Sequence, residues 1–260
     1  MAEVFLSAGH GGIDPGAVGY GMKEKDINLQ VMTACQHELA RHGVTVVVSR
    51  TKDENDPVTQ EVKEANASGA DIAVSFHTNA GGGDGSESFY WQGDANGLRL
   101  AQLCEKYTKQ LGQNSRGVKS GNHLWFVKAT KMTAVLCEIG FIDNDKDNDI
   151  FDTSTEQKAF GIAYAKAILE YLGIIYKAQD NSTGSAASGS LPAGSFLIKA
   201  KTPLNIRTGP GVEYDPVGVL DTKYKYTIIE LKKASDGGTW GKLKSGAGYV
   251  NVSEKYVTRV

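Results

Sequence analysis

The stretch that most constrains this chain is the apolar run from Ala70 to Phe76, which stops abruptly at His77. The run contains Ile72, Val74 and Phe76, and the triple glycine at 81–83 follows soon after it. A short run rich in branched and aromatic residues, with turn residues behind it, is typical of a buried strand. Ligands and catalytic groups of α/β proteins gather at the carboxyl ends of such strands. The pattern therefore predicts a functional site around His77.

Two other segments repeat this arrangement of an apolar run that ends in small or polar residues. Val4–Leu6 leads into the glycine-rich sequence that contains His10, and Ala134–Cys137 leads into Glu138. Because parallel strands place their carboxyl ends at the same edge of a sheet, we expect His10, His77 and Glu138 to meet there. Our hypothesis from the residues is that they surround a zinc ion.

The rest of the N-terminal part alternates between predicted strands and amphipathic helices, which favours an α/β fold with a mostly parallel central sheet flanked by helices. The capping residues predict helices that begin near Asp26, at Asp56 and Pro57, near Asp94, and after Thr153. The additional strands are predicted at 44–49, 86–91 and 124–127.

The composition changes after Tyr176. Residues 179–190 contain no aromatic or branched aliphatic residue, which is typical of a flexible linker. From Ser195 onward, short β-type runs alternate with glycine-rich turns, which favours a small all-β barrel. We therefore predict a catalytic domain at 1–176, a linker at 177–194 and a small barrel domain at 195–260.

Composition fits a globular protein with a real core, since 40% of the residues are hydrophobic and 22% are charged. No apolar run approaches the roughly 18 residues that a membrane span needs, so we expect no membrane insertion. The N-terminus shows no basic flank followed by a long apolar segment, which predicts synthesis in the cytoplasm without a signal peptide. Cys35, Cys104 and Cys137 are far apart and are expected to be buried thiols.

Charge is distributed unevenly, although the formal net charge is only −2. Residues 195–260 carry 11 basic and 6 acidic side chains, whereas residues 1–194 carry 17 and 24. A basic module is compatible with a polyanion, either nucleic acid or an anionic cell surface, and equally with a domain that has many surface lysines. The aromatic residues of this part fall at strand spacing, which favours core and groove positions over a platform for stacking bases.

A hydrolytic zinc site uses about three protein ligands and leaves a fourth position for water. His10 and His77 supply nitrogen donors, and two carboxylates are candidates for the third ligand. Glu24 heads the first helix after the glycine-rich loop, which can fold back toward His10, and Glu138 ends a strand. The alternative for each histidine is a buried, hydrogen-bonded side chain, because the spacing lacks the compactness of a metalloprotease helix motif. Phosphate-loop and Gly-x-Ser-x-Gly signatures are absent from the sequence.

Taken together, these motifs resemble the zinc-dependent N-acetylmuramoyl-L-alanine amidases. The resemblance covers roughly residues 2–175 and is carried by six segments in order: Ser-Ala-Gly-His10-Gly-Gly, Lys-Glu24-Lys-Asp-Ile-Asn-Leu29, Ser-Arg50-Thr, Glu-Ala-Asn66, Val-Ser-Phe-His77-Thr-Asn79-Ala and Ala-Val-Leu-Cys-Glu138-Ile-Gly-Phe141-Ile. It implies that His10, Glu24 and His77 bind Zn²⁺ and that Glu138 is the catalytic carboxylate. It places Asn79 and Phe141 beside them, as candidates for lining the substrate groove.

Residues 195–260, with Leu204-Asn-Ile-Arg-Thr-Gly-Pro-Gly211, resemble a bacterial SH3-like domain, a type of module that commonly tethers lytic enzymes to the cell wall. An amidase with such a module and no signal peptide is similar to a phage or prophage endolysin. The resemblance implies that the chain binds peptidoglycan, without nucleic acid or membrane insertion, and acts at the bacterial wall after release.

The predicted function is therefore zinc-dependent hydrolysis of the amide bond between N-acetylmuramic acid and L-alanine of the peptidoglycan stem. Two alternatives remain open from the sequence. One is a non-catalytic protein whose domains both recognise the cell wall, and the other is a different zinc amidohydrolase or peptidase on the same fold.

Overall fold

In the computed structural model of this protein, the structure describes residues 2–178, 194–235 and 237–260. The chain divides into two compact units. The larger unit extends through Lys177 apart from Tyr20–Met22, and the smaller comprises Tyr20–Met22 together with the chain from Ala178 onward. Most of the linker predicted at 177–194 falls outside the described residues.

The larger unit alternates strands and helices much as the sequence predicts, with several additional short elements. Its elements are β1 (Glu3–Ala8), β2 (Val18–Gly19), β3 (Met22–Lys23), α1 (Glu24–Arg41), β4 (Thr45–Val48), α2 (Val58–Ser68), β5 (Ile72–Asn79), β6 (Ser86–Tyr90), α3 (Ala95–Thr108), β7 (Ser115–Ser120), α4 (Trp125–Ala129), β8 (Thr133–Phe141), α5 (Asp145–Phe151) and α6 (Ser154–Tyr171). A short 3₁₀ turn at Lys109–Leu111 follows α3.

Six of these strands form one sheet in the order β4-β1-β5-β8-β6-β7. The pairs β1–β4, β1–β5, β5–β8 and β6–β7 are parallel, and β6 pairs antiparallel with β8. The prediction of a mostly parallel central sheet flanked by helices is confirmed. β1, β5 and β8 are neighbours, so the three segments that end at Ala8, Asn79 and Phe141 reach the same edge of the sheet.

Helices cover both faces of the sheet. On one face, α2 and α4 bury a cluster that includes Phe5, Val62, Phe126 and Leu136. On the other face, α1, α3 and α6 pack together, and Tyr164 of α6 contacts Phe76 of β5 with ring centroids 5.1 Å apart. The three cysteines are buried free thiols, as predicted.

One predicted strand is wrong. Residues 124–127 were expected to form a strand, but Trp125–Ala129 is the helix α4, and the strand in this region is β7 at Ser115–Ser120. An apolar run of only four residues fits a strand or a helical turn equally well, so periodicity cannot separate them. β7 lies at the sheet edge, is mostly polar and contains Gly117 with φ of 84°, so it carries no alternating apolar signal.

The smaller unit is all β. Its strands are β9 (Phe196–Ala200), β10 (Leu204–Arg207), β11 (Pro216–Leu220), β12 (Lys225–Lys233), β13 (Thr239–Leu243), β14 (Tyr249–Asn251) and β15 (Val257–Arg259). They pair antiparallel in the order β11-β10-β14-β13-β12-β9-β15. Its core contains Ile206, Ile228, Trp240 and Val250, all buried. Among the described residues of the chain, no helix has the length and apolar character needed to cross a membrane.

Candidate metal centre

The first functional segment is the turn that follows β1. His10 has φ of 67°, in the left-handed region that residues other than glycine seldom adopt. A non-glycine residue held in that conformation is a feature that clusters at functional sites. Gly9 precedes it, and a Cβ at Gly9 would overlap the imidazole ring of His77. The residue before His10 must therefore be small for the two histidines to approach each other.

The second segment is the first turn of α1. Glu24 begins this helix and Asn28 lies one turn later on the same face. The buried carboxylate of Glu24 accepts hydrogen bonds from the backbone N–H of Ala17 at 2.8 Å, from that of Thr78 at 3.0 Å and from the Asn28 amide at 3.3 Å. Asn28 in turn donates to the Gly9 carbonyl at 3.0 Å, so one amide group connects the Glu24 carboxylate to the end of β1.

The third segment is the end of β5, where His77 lies beside Glu24. The Nδ1 atom of His77 is 3.0 Å from Glu24 Oε1, and the Nε2 atom of His10 is 3.3 Å from the same oxygen. The two imidazole rings meet edge to face with centroids 5.1 Å apart. One donor atom from each of His10, Glu24 and His77 lies within 4.8 Å of the others, so the structure brings these three predicted residues together as a group that could hold a metal ion.

The electrostatics of the group follow from this proximity. Hydrogen bonding to Glu24 raises the pKa of His10 to about 9. Burial acts to lower the pKa of His77, but its hydrogen bond with Glu24 and the negative charges of Glu138, Glu24 and Glu61 together outweigh burial and raise that pKa. Burial would likewise raise the pKa of Glu24, yet its hydrogen bonds with His10 and His77 hold that pKa well below its usual range. Glu24 is therefore an ionised carboxylate, which is the form that attracts a cation.

The donor set fits a metal ion of the zinc type. Two imidazole nitrogens and one carboxylate oxygen are ligands that Zn²⁺ accepts, and three protein ligands leave a position open. His10 Nδ1 lies 2.8 Å from Asp14 Oδ2, which leaves Nε2 directed at Glu24. A carboxylate on the second nitrogen of a ligating histidine is the usual outer partner in metal sites, because it fixes the tautomer and the ring orientation.

Glu138 lies next to this group without joining it. It occupies β8 directly opposite His77 in the parallel register with β5. Its Oε2 atom is buried and, in the part of the chain that the structure describes, has no hydrogen-bond partner. Burial raises the pKa of Glu138 to about 7. A carboxyl group with this pKa can both accept and release a proton near neutral pH.

Asn79 and Phe141 also lie at this edge, as a register pair between β5 and β8. The Asn79 side chain donates to Glu87 Oε1 at 2.9 Å, while its own oxygen accepts the backbone N–H of Ala80 at 2.9 Å. Phe141 is only 6% exposed, and its ring fills the space where a Cβ at Gly83 would lie. Their contact with substrate remains a prediction.

Several residues shape the site although no role for them was predicted from the sequence. Arg50 is buried and donates to the backbone carbonyls of Ala8 at 2.9 Å and Lys25 at 2.7 Å, so it ties the end of β1 to the start of α1. Asp14 and Asn28 hold His10 and Glu24 as described above. The spacing of four residues between Glu24 and Asn28 could have predicted their contact on one helix face. The contacts of Arg50 could not have been predicted in this way, because they are made to backbone atoms of distant segments.

Comparisons with known proteins show which family the chain resembles. Residues 4–170 match the sequence profile of the N-acetylmuramoyl-L-alanine amidase family. The N-acetylmuramoyl-L-alanine amidase CwlM of Bacillus licheniformis is 33% identical over 189 residues, which cover 69% of this chain and 74% of CwlM. The endolysin of Bacillus phage SPP1 is 31% identical over 278 residues, covering 98% of this chain and 97% of the endolysin.

Among solved structures, the catalytic domain of the amidase CwlV from Bacillus (Paenibacillus) polymyxa var. colistinus matches with a TM-score of 0.63 and 31% identity, covering 67% of this chain and all of that domain. The functional prediction from the sequence is confirmed at the level of the family. The chain belongs to the N-acetylmuramoyl-L-alanine amidases, which hydrolyse peptidoglycan at the amide bond between N-acetylmuramic acid and L-alanine.

Proposed function

We propose that His10, Glu24 and His77 hold a Zn²⁺ ion and that this amidase depends on it. The observation that carries the proposal is the convergence of two imidazole nitrogens on one carboxylate oxygen, at 3.3 and 3.0 Å. Ligands of a tetrahedral zinc ion with bonds of about 2.0–2.2 Å lie at similar separations from one another. A zinc ion bound there supplies Lewis acidity, which lowers the pKa of water and polarises a carbonyl oxygen.

The protein's own contribution is to hold these ligands in place before substrate arrives. Glu24 is fixed by two backbone N–H groups and by Asn28, so its carboxylate cannot rotate away from the histidines. Asp14 orients the His10 ring. Thr78 donates its hydroxyl to Asn28 at 3.0 Å, which connects the support of Glu24 to β5. Metal ligands that are held by a second layer of hydrogen bonds need less reorganisation on binding.

Glu138 is the proposed general base and acid. A cation beside it favours its ionised form, which accepts a proton from the attacking water. The same carboxyl group then donates that proton to the departing nitrogen of L-alanine. Without this proton the nitrogen would have to leave as an anion, which is a poor leaving group. Its free, buried Oε2 atom suits this role because no protein donor competes for it within the described residues.

Asn79 and Phe141 are proposed to line the substrate groove beside Glu138. Both belong to the strand ends that carry His77 and Glu138, which places them along the same edge of the sheet. Because the Phe141 ring is buried, we expect only its edge to contact the substrate. The face of the same ring contacts the guanidinium of Arg116, as described below.

The smaller unit is proposed to be an SH3-like barrel that binds the cell wall, with domain limits of 1–176, 177–194 and 195–260. Its antiparallel pairing supports this, as does the register shift between Ile228 and Glu230 in the pairing of β12 with β13. Bulges of this kind curve a sheet toward closure. Val217 and Val219 on its edge strand β11 are exposed, at 55% and 50%. Similarity to a phage endolysin along nearly the whole chain supports a bacteriolytic role at the wall after release from the host cytoplasm.

The catalytic proposal is tested by digesting purified peptidoglycan with the full chain and identifying the products by mass spectrometry. We expect peptides with a new L-alanine amino terminus, metal analysis that shows about one zinc per chain, and loss of activity after chelation that zinc restores. Binding to the wall without product would favour the non-catalytic alternative. A different new amino terminus would favour another amidohydrolase or peptidase.

The role of the smaller unit is tested separately by sedimentation with purified cell walls. We expect the full chain to sediment with the walls and a chain that ends at residue 178 to remain largely in solution. Equal sedimentation of the two proteins would contradict the wall-binding proposal and leave the catalytic one untouched.

A further inference from the structure

A buried carboxylate next to Glu138 plays no part in the mechanism above. Glu87 lies on β6, is 5% exposed, and is paired with Glu138 across the antiparallel β6–β8 ladder. It accepts hydrogen bonds from Asn79 at 2.9 Å, from Arg116 Nε at 2.7 Å and from the ammonium of Lys119. A buried carboxylate is stable only when it is paired. Glu87 therefore serves as an anchor for two cations at the edge of the candidate site.

Arg116 is held in a specific orientation by this anchor. Its Nε donates to Glu87, and its guanidinium carbon lies 5.1 Å from the centroid of the Phe141 ring. Within the described part of the chain, neither Nη atom has a recorded hydrogen bond, and the side chain is 38% exposed. Two Nη atoms on a planar, fixed guanidinium form the fork that binds a carboxylate through two parallel hydrogen bonds.

The local charge favours an anionic ligand. Arg116 and Lys119 bring two positive charges against the single negative charge of Glu87, and both cations are partly exposed. Lys119 adds a flexible second donor beside the fixed guanidinium. The patch made by Glu87, Arg116 and Lys119, which we call the anchored cation pair, is therefore net positive.

The position of the anchored cation pair identifies which part of the substrate it faces. β6 lies between β7 and β8, and adjacent strands are about 4.8 Å apart, so a residue on β7 is roughly 10 Å from Glu138 on β8. The Arg116 side chain shortens this distance because its guanidinium lies over the ring of Phe141, which is on β8. One extended residue spans about 3.3 Å, so the stem residue next to L-alanine falls within reach. The anionic group that a guanidinium fork recognises in a peptide is a carboxylate, which points to the peptide side of the scissile bond.

We propose that Arg116, anchored by Glu87 and assisted by Lys119, binds a free carboxylate of the stem residue that follows L-alanine, and so makes the enzyme select stems with that carboxylate over stems in which it is amidated. The inference rests on the proposed amidase function and names the peptide side of its substrate. An amide in place of the carboxylate removes the charge and one acceptor, and it presents an N–H group to a cationic donor.

The test uses two synthetic N-acetylmuramoyl peptides of identical sequence, in which the residue after L-alanine carries either a free α-carboxylate or a primary amide. We expect the full chain to hydrolyse the acid with a kcat/KM about tenfold to a hundredfold higher, since hydrogen bonds to charged groups have about that effect. Arg116→Gln should lower kcat/KM for the acid by a similar factor and bring the ratio between the two substrates close to one.

Lys146→Gln is the matched control, because Lys146 is an exposed cation of the same unit whose nearest partner is Asp84 at 3.5 Å. It should preserve the preference for the acid. Equal kcat/KM of the unmodified protein for both substrates would overturn the inference, as would an Arg116→Gln protein that loses activity on both substrates while keeping the ratio. If the unmodified protein releases no peptide from either substrate, the amidase proposal fails as well, so the two failures are distinguishable.

Discussion

Asp14 and His10 form a contact that determines which imidazole nitrogen is available at the candidate metal centre. Asp14 Oδ2 lies 2.8 Å from His10 Nδ1, and the opposite nitrogen, Nε2, lies 3.3 Å from Glu24. The Asp14 carboxylate is itself held by the backbone N–H of Gly16 at 3.0 Å. The turn after β1 thus carries both the candidate ligand and the group that orients it.

Asp14→Asn is expected to weaken zinc binding while leaving the fold intact. The amide retains the shape but lacks the negative charge that favours the Nδ1–H tautomer, and loss of such outer partners lowers metal affinity by about tenfold to a hundredfold. Competition with a chelator of known affinity measures the change. Asp71→Asn is the control, because Asp71 lies at the opposite end of β5. Unchanged zinc affinity in Asp14→Asn would show that Asp14 does not orient the ligand.

His77→Ala is expected to lose bound metal and activity together. Its Nδ1 atom is one of three donors in the group, and two remaining ligands cannot hold zinc with the affinity of three. Elemental analysis and release of peptide from peptidoglycan are the measurements. His37→Ala serves as the control, since His37 is exposed on α1. A metal-free His77→Ala protein that still hydrolyses peptidoglycan would exclude the zinc proposal.

Glu138→Ala is expected to keep zinc and lose turnover. Glu138 faces the group from β8 but is not one of its three clustered donors. Removal of a general base or acid costs about a hundredfold to ten-thousandfold in rate. Zinc content and kcat on peptidoglycan are measured on the same preparation. Loss of zinc from this variant would place Glu138 among the ligands instead.

The location of the candidate metal centre was predictable because each central residue lies near the end or the beginning of an element with a clear sequence signal. His10, His77 and Glu138 each follow an apolar run that forms a strand, and the sheet order brings these three strands together. Glu24 was recognisable only as one of two carboxylate candidates. Its role depends on the fold of the turn between Gly11 and Gly21, where the chain reverses toward His10.

The parts that sequence reasoning missed rest on contacts between distant segments or on weak local patterns. The three-residue network of Asn79, Glu87 and Arg116 joins strands β5, β6 and β7, and an isolated Glu or Arg gives no sign of such pairing. The sequence did not predict the helix α4, because its helical conformation depends on packing against α2 and not on a local sequence pattern. Asp56 was expected to cap α2, whereas Pro57 occupies the N-cap position and Asp56 precedes it.

Gly161→Ala is expected to destabilise the larger unit although alanine favours helices. At Gly161, α6 crosses α1 so closely that a Cβ would overlap the carbonyl oxygen of Val31 and lie 2.6 Å from the Cβ of Ala34. The gain in helix propensity is about 1 kcal/mol, while overpacking costs about 1–3 kcal/mol. We expect a net loss of up to about 2 kcal/mol by urea denaturation. Lys158→Ala, at an exposed position of α6, is the control. Equal or higher stability of Gly161→Ala would mean that the helices can separate without cost.

Asp56, in the same unit, is a buried carboxyl group whose ionised form is destabilised by its surroundings. The residue is 6% exposed, and its Oδ2 atom is buried with no hydrogen-bond partner among the described residues. Burial raises the pKa of Asp56 to about 6, and the nearby carboxylates of Glu61 and Glu64 add to this effect, against the opposing contributions of Ser49 and Arg50. The folded protein therefore retains this proton at pH values where the unfolded chain has released it, which means that the free energy of unfolding falls as pH rises.

Asp56→Asn is expected to remove this pH dependence and to stabilise the protein at neutral pH. The pKa of Asp56 rises from 3.8 to about 6 on folding. The free energy of unfolding of the unmodified protein should therefore fall, relative to that of the variant, between pH 4 and pH 6, by at most about 3 kcal/mol. Well above pH 6 the difference should stay constant, and below about pH 3 it should level off because Asp56 is then protonated in both states. Denaturation by urea at several pH values measures both proteins. A difference that is independent of pH, or that grows as the pH is lowered, would show that Asp56 is ionised in the folded protein without a penalty.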